Sequence, residues 1–476
     1  MSTSTDSQSG PSHDGVEATP LANPSFVGYV LTQFLGAFND NLFKQLILLL
    51  AVPAVAMQGA EVAQGVVGGQ GVGGGQGVGG ESGGSDVQGI ATIVFGLPFV
   101  VFGGIAGYLA DRYSKRRVIV LCKVAEVFIA AAGLFAFLAA PRIGFLGLWV
   151  VLFALGTQST FFGPGKYGIL PEILRRDQLS RANGIVMMTT FVAIILGTAS
   201  AGPIKDWFGP QGGDRYEAAG SLWVASLVCI GVAVLGTWVS RWIRPVPIAA
   251  PDLKFTSDYW LVPPSMRRLL MADRPLLLAL FASCGFWLIA GLTVQAVNSL
   301  CKVQIGLSDT YTSLMVALIS IGIAAGGLTA GWLSRGGGDQ RVVRLGMWGV
   351  VIGCGLLSIT LPGGGLMVGK YGLPLVLIFL GGAAAFFSIP IQVFLQSRPP
   401  ADLKGRMIAV MNQANFLAIV LSGGVYIALD QAVIAFDLPR SAIFAAMAIL
   451  FLPFALGYRL EGSPPSWSAG DGDDRS

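Results

Sequence analysis

Histidine and charged residues are scarce in this sequence, and their scarcity excludes several classes of enzyme. The only histidine is His13, and Ala18 stands five residues on, so the His-x4-Asp motif of glycerolipid acyltransferases is missing. Charged residues make up 12% of the chain, about half the share in soluble domains. No Walker motif, metal-ligand cluster or nucleophile–base pair is present. We therefore expect no enzymatic activity, no metal and no cofactor.

Cysteine is also sparse, whereas apolar residues are abundant. The five cysteines form no CxxC pair and stand in or beside apolar runs, so we interpret them as small apolar fillers. Hydrophobic residues make up 53% of the 476 residues. A bilayer core requires about 20 apolar residues per helix, because an unpaired backbone amide is costly in hydrocarbon. The composition predicts a chain that crosses a membrane many times.

Apolar segments of bilayer length recur along the chain. They predict an all-α integral membrane fold of twelve transmembrane helices in two pseudo-repeated six-helix halves. A shift of 224 residues places Gly103 on Gly327 and Gly107 on Gly331, which supports the repeat. The predicted spans are 26–56, 87–110, 118–140, 144–162, 182–204, 219–240, 276–300, 310–333, 345–362, 372–396, 407–428 and 440–459.

Lysine and arginine are unevenly divided between the connections. Twenty follow even-numbered spans and six follow odd-numbered ones, so the positive-inside rule predicts a cytoplasmic membrane protein with both termini in the cytoplasm. The remaining segments complete the domain organisation. They are a disordered arm 1–25, a first half 26–240 with a glycine-rich extracytoplasmic insertion 57–86, a proline-rich cytoplasmic linker 241–275, a second half 276–459 and a disordered tail 460–476.

The first span carries polar side chains near the middle of the membrane. Asp40 lies about 21 Å along the helix from Phe26, and a charge at that depth usually has a function. Lys44, one turn on, is its expected partner, and a structural ion pair is the alternative. In span 3, snorkelling or local pairing with Glu126 would account for Lys123. The candidate substrate or coupling residues are Asp40, Asn39, Asn41, Lys44 and Glu126.

The second half shows no charge well inside a span, and its polar groups there are neutral amides. Hydrogen bonds between helices explain many such amides. A cavity charged on one side and apolar on the other would suit an amphiphile. The candidate lining residues of this half are Gln295, Asn298, Gln392, Gln396, Asn412 and Asn415.

The loop after span 2 reads Gly107-Tyr-Leu-Ala-Asp111-Arg112-Tyr-Ser114-Lys115-Arg116-Arg117. It resembles the signature loop of the major facilitator superfamily, except that Ser114 stands where that family usually has glycine. Gly107 would allow two helices to approach closely, and Asp111 could face a helix N-terminus. The alternative is a plain basic loop. We expect Gly107, Asp111, Arg112 and Arg116 to gate or orient rather than to contact a substrate.

The loop after span 4 is more specific. It reads Gly163-Pro-Gly-Lys166-Tyr167-Gly-Ile-Leu-Pro-Glu172, followed by Arg181-Ala-Asn183-Gly184. Together with Phe38-Asn39-Asp40-Asn41 and Gln392-Val-Phe-Leu-Gln396, it resembles the bacterial lysophospholipid transporters of the major facilitator superfamily. Similar sequences form the membrane part of fused acyltransferase/acyl-ACP synthetase proteins. The resemblance covers residues 26 to 458.

This resemblance implies movement of lysophospholipids, such as lysophosphatidylethanolamine, from the outer to the inner leaflet. A separate acyltransferase or acyl-ACP synthetase would be a partner, and no nucleic acid is expected. Asp40 would attract the ethanolamine ammonium or carry a proton. Lys166, Tyr167, Glu172 and Asn183 would gate the cytoplasmic side or face the phosphate, with a structural loop role as the alternative. The rival functions are a proton-coupled solute or drug antiporter and a non-transporting partner of an acyltransferase.

Overall fold

The computed structural model describes residues 23–53, 86–210, 214–253, 262, 264–333, 340–362, 365–400 and 403–459. Nearly all of the predicted arm, the Gly65–Gly84 repeat and the predicted tail lie outside these residues. The described residues form fifteen α-helices, which are α1 (Pro24–Ala51), α2 (Gln88–Arg112), α3 (Lys115–Ile143), α4 (Leu146–Gly168), α5 (Leu170–Ile173), α6 (Leu179–Phe208), α7 (Arg215–Ser221), α8 (Trp223–Ser240), α9 (Pro264–Ala272), α10 (Arg274–Ser299), α11 (Asp309–Leu333), α12 (Gln340–Ser358), α13 (Gly369–Ser397), α14 (Lys404–Ala435) and α15 (Ala442–Gly457).

Each predicted span overlaps one of these helices, although several ends differ, as at α14, which ends at Ala435 rather than at residue 428. Within the described residues, ten helices are long and apolar enough to cross a membrane. Two further helices are not among these ten, namely the 28-residue α1, which carries Asn39, Asp40 and Asn41, and the shorter apolar α15 of 16 residues. The prediction of a helical, multi-pass membrane protein is confirmed.

Capping residues set several of the helix ends. Asn23 precedes Pro24, and its side chain accepts a hydrogen bond from the Phe26 N–H at 2.9 Å. Asp273 caps α10 in the same way through the Leu276 N–H at 3.2 Å. Gly144 ends α3 at a φ of 63°, a conformation that favours glycine. The helix start at Pro24 means that the predicted arm ends slightly earlier than residue 25.

The apolar side chains pack into cores that follow the two halves. One core lies wholly between Met266 and Tyr458, on α9 to α15. Two others lie between Phe26 and Val246, on α1 to α8. We call α1–α8 the first half and α10–α15 the second half. The halves meet mainly where α2 packs on α14 and α6 packs on α11.

The α2–α14 contact is closest near the Gln88 end of α2. A Cβ on Gly89 would collide with the carbonyl oxygen of Gly423. Farther along, Phe99 stacks on Phe416 with ring centroids 3.7 Å apart. Beyond this pair, Gly107 has no atom within 4 Å of a built Cβ, so the close approach expected there is not present in this conformation. Gly103, one turn earlier, also has open space around it.

The same asymmetry appears between α6 and α11. Gly202, near the end of α6, lies so close to the start of α11 that a Cβ would collide with the carbonyl oxygen of Asp309. Near the other ends of the paired helices, Gly184 and Gly331 have open space around them. We call the side of Gln88 and Asp309 the closed end and the side of Arg112 and Lys404 the open end.

Candidate functional site

Asp40 lies in the middle of α1 and faces α4. Its Oδ2 accepts a hydrogen bond from the Ser159 hydroxyl at 2.6 Å. Its Oδ1 is buried and has no hydrogen-bond partner among the described residues. The expected ion pair with Lys44 is absent from the described structure, since the Lys44 ammonium lies over the Phe95 ring, 5.4 Å from its centroid. Asp40 therefore presents a carboxylate oxygen with unused capacity to accept a hydrogen bond.

Lys166 brings a cation to the same side of α1. Its ammonium donates to the Thr190 hydroxyl at 3.3 Å, and that hydroxyl contacts the Gln33 side-chain oxygen at 2.7 Å. The Tyr29 hydroxyl donates to the Lys166 carbonyl at 2.8 Å. Gln33 precedes Asp40 by two helical turns, about 10 Å along α1. The first half thus holds an anionic and a cationic group along one face of a helix.

The neighbouring asparagines are held by hydrogen bonds. The Asn39 amide donates to Glu126 Oε1 at 2.8 Å and to the Cys229 carbonyl at 3.0 Å. The Asn41 amide donates to the Ala37 carbonyl within α1, at 2.7 Å. Asn39 therefore ties α1 to α3 and α8.

A buried ion pair lies behind Asn39. The Lys123 ammonium is 2.6 Å from Glu126 Oε2, and the two side chains are 1% and 2% exposed. Of the two explanations for Lys123, the structure shows local pairing, because a buried ammonium of this kind does not reach the membrane surface.

The loops after spans 2 and 4 form contacts at the open end of the first half. Glu172 forms an ion pair with Lys115, and its carbonyl accepts from the Arg244 guanidinium at 2.8 Å. The Asp111 carbonyl accepts from the Ala250 N–H at 3.0 Å. These contacts favour the structural interpretation of Glu172.

The remaining loop candidates stand at or near the surface of the open end. Arg116 donates to the carbonyls of Ile243 and Arg241. Arg112 is half-buried and Asn183 is exposed. The side chain of Tyr167 lies outside the described part of the structure.

The second-half amides do not gather at one place. Asn298 accepts from the Gln45 amide at 3.0 Å and donates to Gln88 at 2.9 Å, so it belongs to the closed end. The Gln295 carbonyl accepts from Gln88 at 3.3 Å. Asn415 accepts from the Ser283 hydroxyl at 2.8 Å. The other candidate amides are half-buried or exposed, namely Gln392, Gln396 and Asn412.

An acidic residue that the sequence analysis did not identify joins the halves at the closed end. Asp86, 5% exposed, accepts from the Tyr426 hydroxyl at 2.7 Å and from the Gln88 N–H at 3.0 Å. Burial raises the pKa of Asp86 above its ordinary value. Its place directly after the glycine-rich repeat, before the first apolar residues of α2, concealed it.

A cluster of four charges closes the α6–α11 contact. Asp309 pairs with Lys205 of the first half and with Lys302, whose ammonium is 2.7 Å from Asp309 Oδ1. Asp206 accepts from the Thr310 N–H at 2.8 Å, across the same contact. Lys205 and Lys302 are two of the six basic residues after odd-numbered spans. Their rarity on that side was the available sequence signal.

The second half also buries a charge, just beyond the end of a predicted span. Helix α14 continues to Ala435, beyond the predicted span end at residue 428, and includes Asp430. This carboxylate is 3% exposed and pairs with Arg440. The predicted boundary left Asp430 in a loop, whereas the additional helical turns bury it.

Comparison with known protein families gives a match over most of the chain. The family model described as Major Facilitator Superfamily matches residues 75–423. The lysophospholipid transporter LplT of Enterobacter sp. (strain 638) is 28% identical over 347 residues, covering 71% of this chain and 79% of that protein. The protein of the same name from Pectobacterium carotovorum is 29% identical over 412 residues, covering 86% and 87%.

Solved structures of similar shape are also transporters. A mutant of the nucleoside transporter NupG superposes with a TM-score of 0.61 at 14% identity, covering 91% of this chain and 97% of that one. The inward-open xylose transporter XylE from E. coli gives 0.59 at 13% identity, covering 92% and 97%. At these identities the likeness shows the fold alone.

Proposed function

The chain belongs to the Major Facilitator Superfamily, and on this basis we propose that it moves lysophospholipids from the outer to the inner leaflet of the cytoplasmic membrane. It is a secondary transporter that would work by alternating access around a site between its halves. Two relatives that match this chain over most of their length carry the name lysophospholipid transporter.

The observation that carries this proposal is a pair of opposite charges along one face of α1, where Asp40 belongs to α1 itself and Lys166 to the neighbouring α4. A lysophosphatidylethanolamine headgroup carries an ammonium and a phosphate. Asp40 Oδ1, which is buried without a partner among the described residues, would accept from the ammonium. Lys166, on the neighbouring helix α4, would receive the phosphate. Ionisable side chains within membrane spans usually face the interior of the helix bundle and mark a pathway for a polar substrate or an ion.

The location of the basic loops supports an orientation for the molecule. Lys115, Arg116 and Arg244 lie at the open end, and the positive-inside rule would put that end in the cytoplasm. The closed end would then face the outside, so this conformation would release a lipid toward the inner leaflet. A separate acyltransferase that receives the product remains part of the proposal.

A proton-coupled solute antiporter is the main rival, because it would use the same fold and a membrane-embedded carboxylate. The names of the relatives favour the lipid substrate. A non-transporting partner of an acyltransferase would leave Asp40 Oδ1, which has no hydrogen-bond partner within the described part of the chain, without a role.

The test is uptake of labelled lysophosphatidylethanolamine from the outer leaflet, in cells that lack their own lysolipid importer. Cells with this protein should internalise and reacylate the label faster than cells without it. Asp40→Asn should lose this uptake. Asp177→Asn is its matched control, because Asp177 is 68% exposed and forms an ion pair at the surface. Equal uptake with and without correctly inserted protein would refute lipid import and favour the antiporter.

A further inference from the structure

The buried Lys123–Glu126 pair packs against α1 at Gly36 and Asn39, shortly before Asp40 in the sequence. The Lys123 ammonium occupies the space that a Cβ on Gly36 would fill, and Gly36 is one turn before Asp40 on α1. The same ammonium lies 5.3 Å from the centroid of the Phe162 ring. A fixed cation thus packs against the helix that carries the carboxylate of the proposed site.

Glu126 holds the surroundings of Asp40 without bonding to Asp40 itself. One of its oxygens accepts from Asn39, the residue before Asp40. The other accepts from Lys123 at 2.6 Å and lies 3.5 Å from the Gln158 amide. Gln158 precedes Ser159, the hydroxyl donor to Asp40.

A buried ammonium is costly unless a carboxylate pairs with it. Glu126 supplies that carboxylate, and Asp40 consequently keeps one oxygen without a partner among the described residues. If Glu126 lost its charge, Asp40 would be the carboxylate left beside Lys123. The cation would then compete with any ammonium that approaches Asp40.

We propose that Glu126 determines headgroup selectivity, because it holds Lys123 and thereby reserves Asp40 for the ammonium of a lysophospholipid. This inference rests on the proposed function. Glu126 acts as a positioning residue and does not contact the lipid. The competing explanation is that the pair only fixes α3 in the bundle, which would affect all substrates equally.

The test compares two lysolipids with the same acyl chain and phosphate, only one of which has an ammonium. Initial uptake of lysophosphatidylethanolamine and lysophosphatidylglycerol is measured in cells with the wild type and with Glu126→Gln. The glutamine keeps a side-chain oxygen for Asn39 but loses the charge. We expect the ratio of the two rates to fall at least about tenfold, which corresponds to about 1.4 kcal/mol.

Two further variants separate selectivity from folding. Lys123→Met combined with Glu126→Gln removes the competing cation, so the ratio should return toward the wild-type value. Asp430→Asn removes the carboxylate of a different buried pair and should leave the ratio unchanged. Membrane abundance is measured for every variant.

Each outcome decides between the explanations. If the wild type moves neither lipid, the proposed function fails. If the wild type moves both without preference, or Glu126→Gln keeps the wild-type ratio, lipid import stands and the role of Glu126 is overturned. An equal decrease in both rates for the single and double variants would likewise show a purely structural pair.

Discussion

The charge cluster at the closed end predicts a large conformational effect for Asp309→Asn. Asp309 is the carboxylate that Lys205 of the first half and Lys302 of the second half share. The substitution would leave two ammonium groups facing each other across the contact between the halves. Because separation of the halves relieves this repulsion, the variant should favour opening of the closed end.

The magnitude follows from the exposure of the three side chains. Removal of one member of a buried pair costs about 3–5 kcal/mol. These side chains are between 12% and 14% exposed, which weakens the interaction. In addition, the Asp309–Lys302 contact lies within the second half and can persist when the halves separate. We therefore expect a shift of about 2 kcal/mol, or about thirtyfold in the ratio of the two conformations.

Distance measurements between spin labels would test this prediction. Phe208, at the end of α6, and Tyr311, in the first turn of α11, are 44% and 59% exposed. Labels at these two positions, with the five native cysteines replaced, should report a longer distance in Asp309→Asn. The exposed-pair variant Asp177→Asn should keep the original distribution.

A second substitution identifies the cause of the shift. Lys205→Met added to Asp309→Asn removes the repulsion between the two ammonium groups, so the distance distribution should return toward that of the wild type. If Asp309→Asn left the distances unchanged, the ion cluster would not hold the halves together, and the packing of α6 on α11 would suffice.

Three further predictions concern the site and the closed end. Asp40→Asn should abolish lysophospholipid uptake at normal abundance, and wild-type uptake would make Asp40 structural only. Because burial raises the pKa of Asp86, the fraction of molecules whose closed end is shut should increase as the external pH falls. Asp86→Asn should remove this pH dependence from the measured distances. Gly202→Ala should favour the opened conformation by about 1–3 kcal/mol, because the alanine Cβ would collide with the Asp309 carbonyl oxygen. An unchanged distance distribution would contradict close packing at Gly202.

Among the described residues, the titratable groups that act on the Asp86 carboxylate are Tyr426 and Asp430. Tyr426 donates to it, and Asp430 adds a negative charge that Arg440 partly offsets. When the halves separate, water would reach Asp86 and its pKa would return toward the ordinary value. The closed conformation therefore binds the proton more tightly, which gives the stated direction.

The sequence by itself determined the helical architecture and part of the site. Length and hydrophobicity predict the spans, because a backbone in hydrocarbon must satisfy its hydrogen bonds within each segment. The same rule marks Asp40 as unusual, because a charge is rare at that depth. The family-like loops at Gly107 and Lys166 are likewise visible as residue patterns.

Only the tertiary structure decided which side chains meet. The sequence suggested Lys44 as the partner of Asp40, yet the hydroxyl donor is Ser159, 119 positions away. Likewise, Asp309 finds Lys205 across the contact between the halves, 104 positions away. The length of an apolar run predicts the length of a membrane helix, but it gives neither the rotation of the helix against its neighbours nor the end at which the halves close. The rotation of each helix and the position of the closed end depend on the packing of particular glycines and aromatic rings, which brings the charged residues opposite one another.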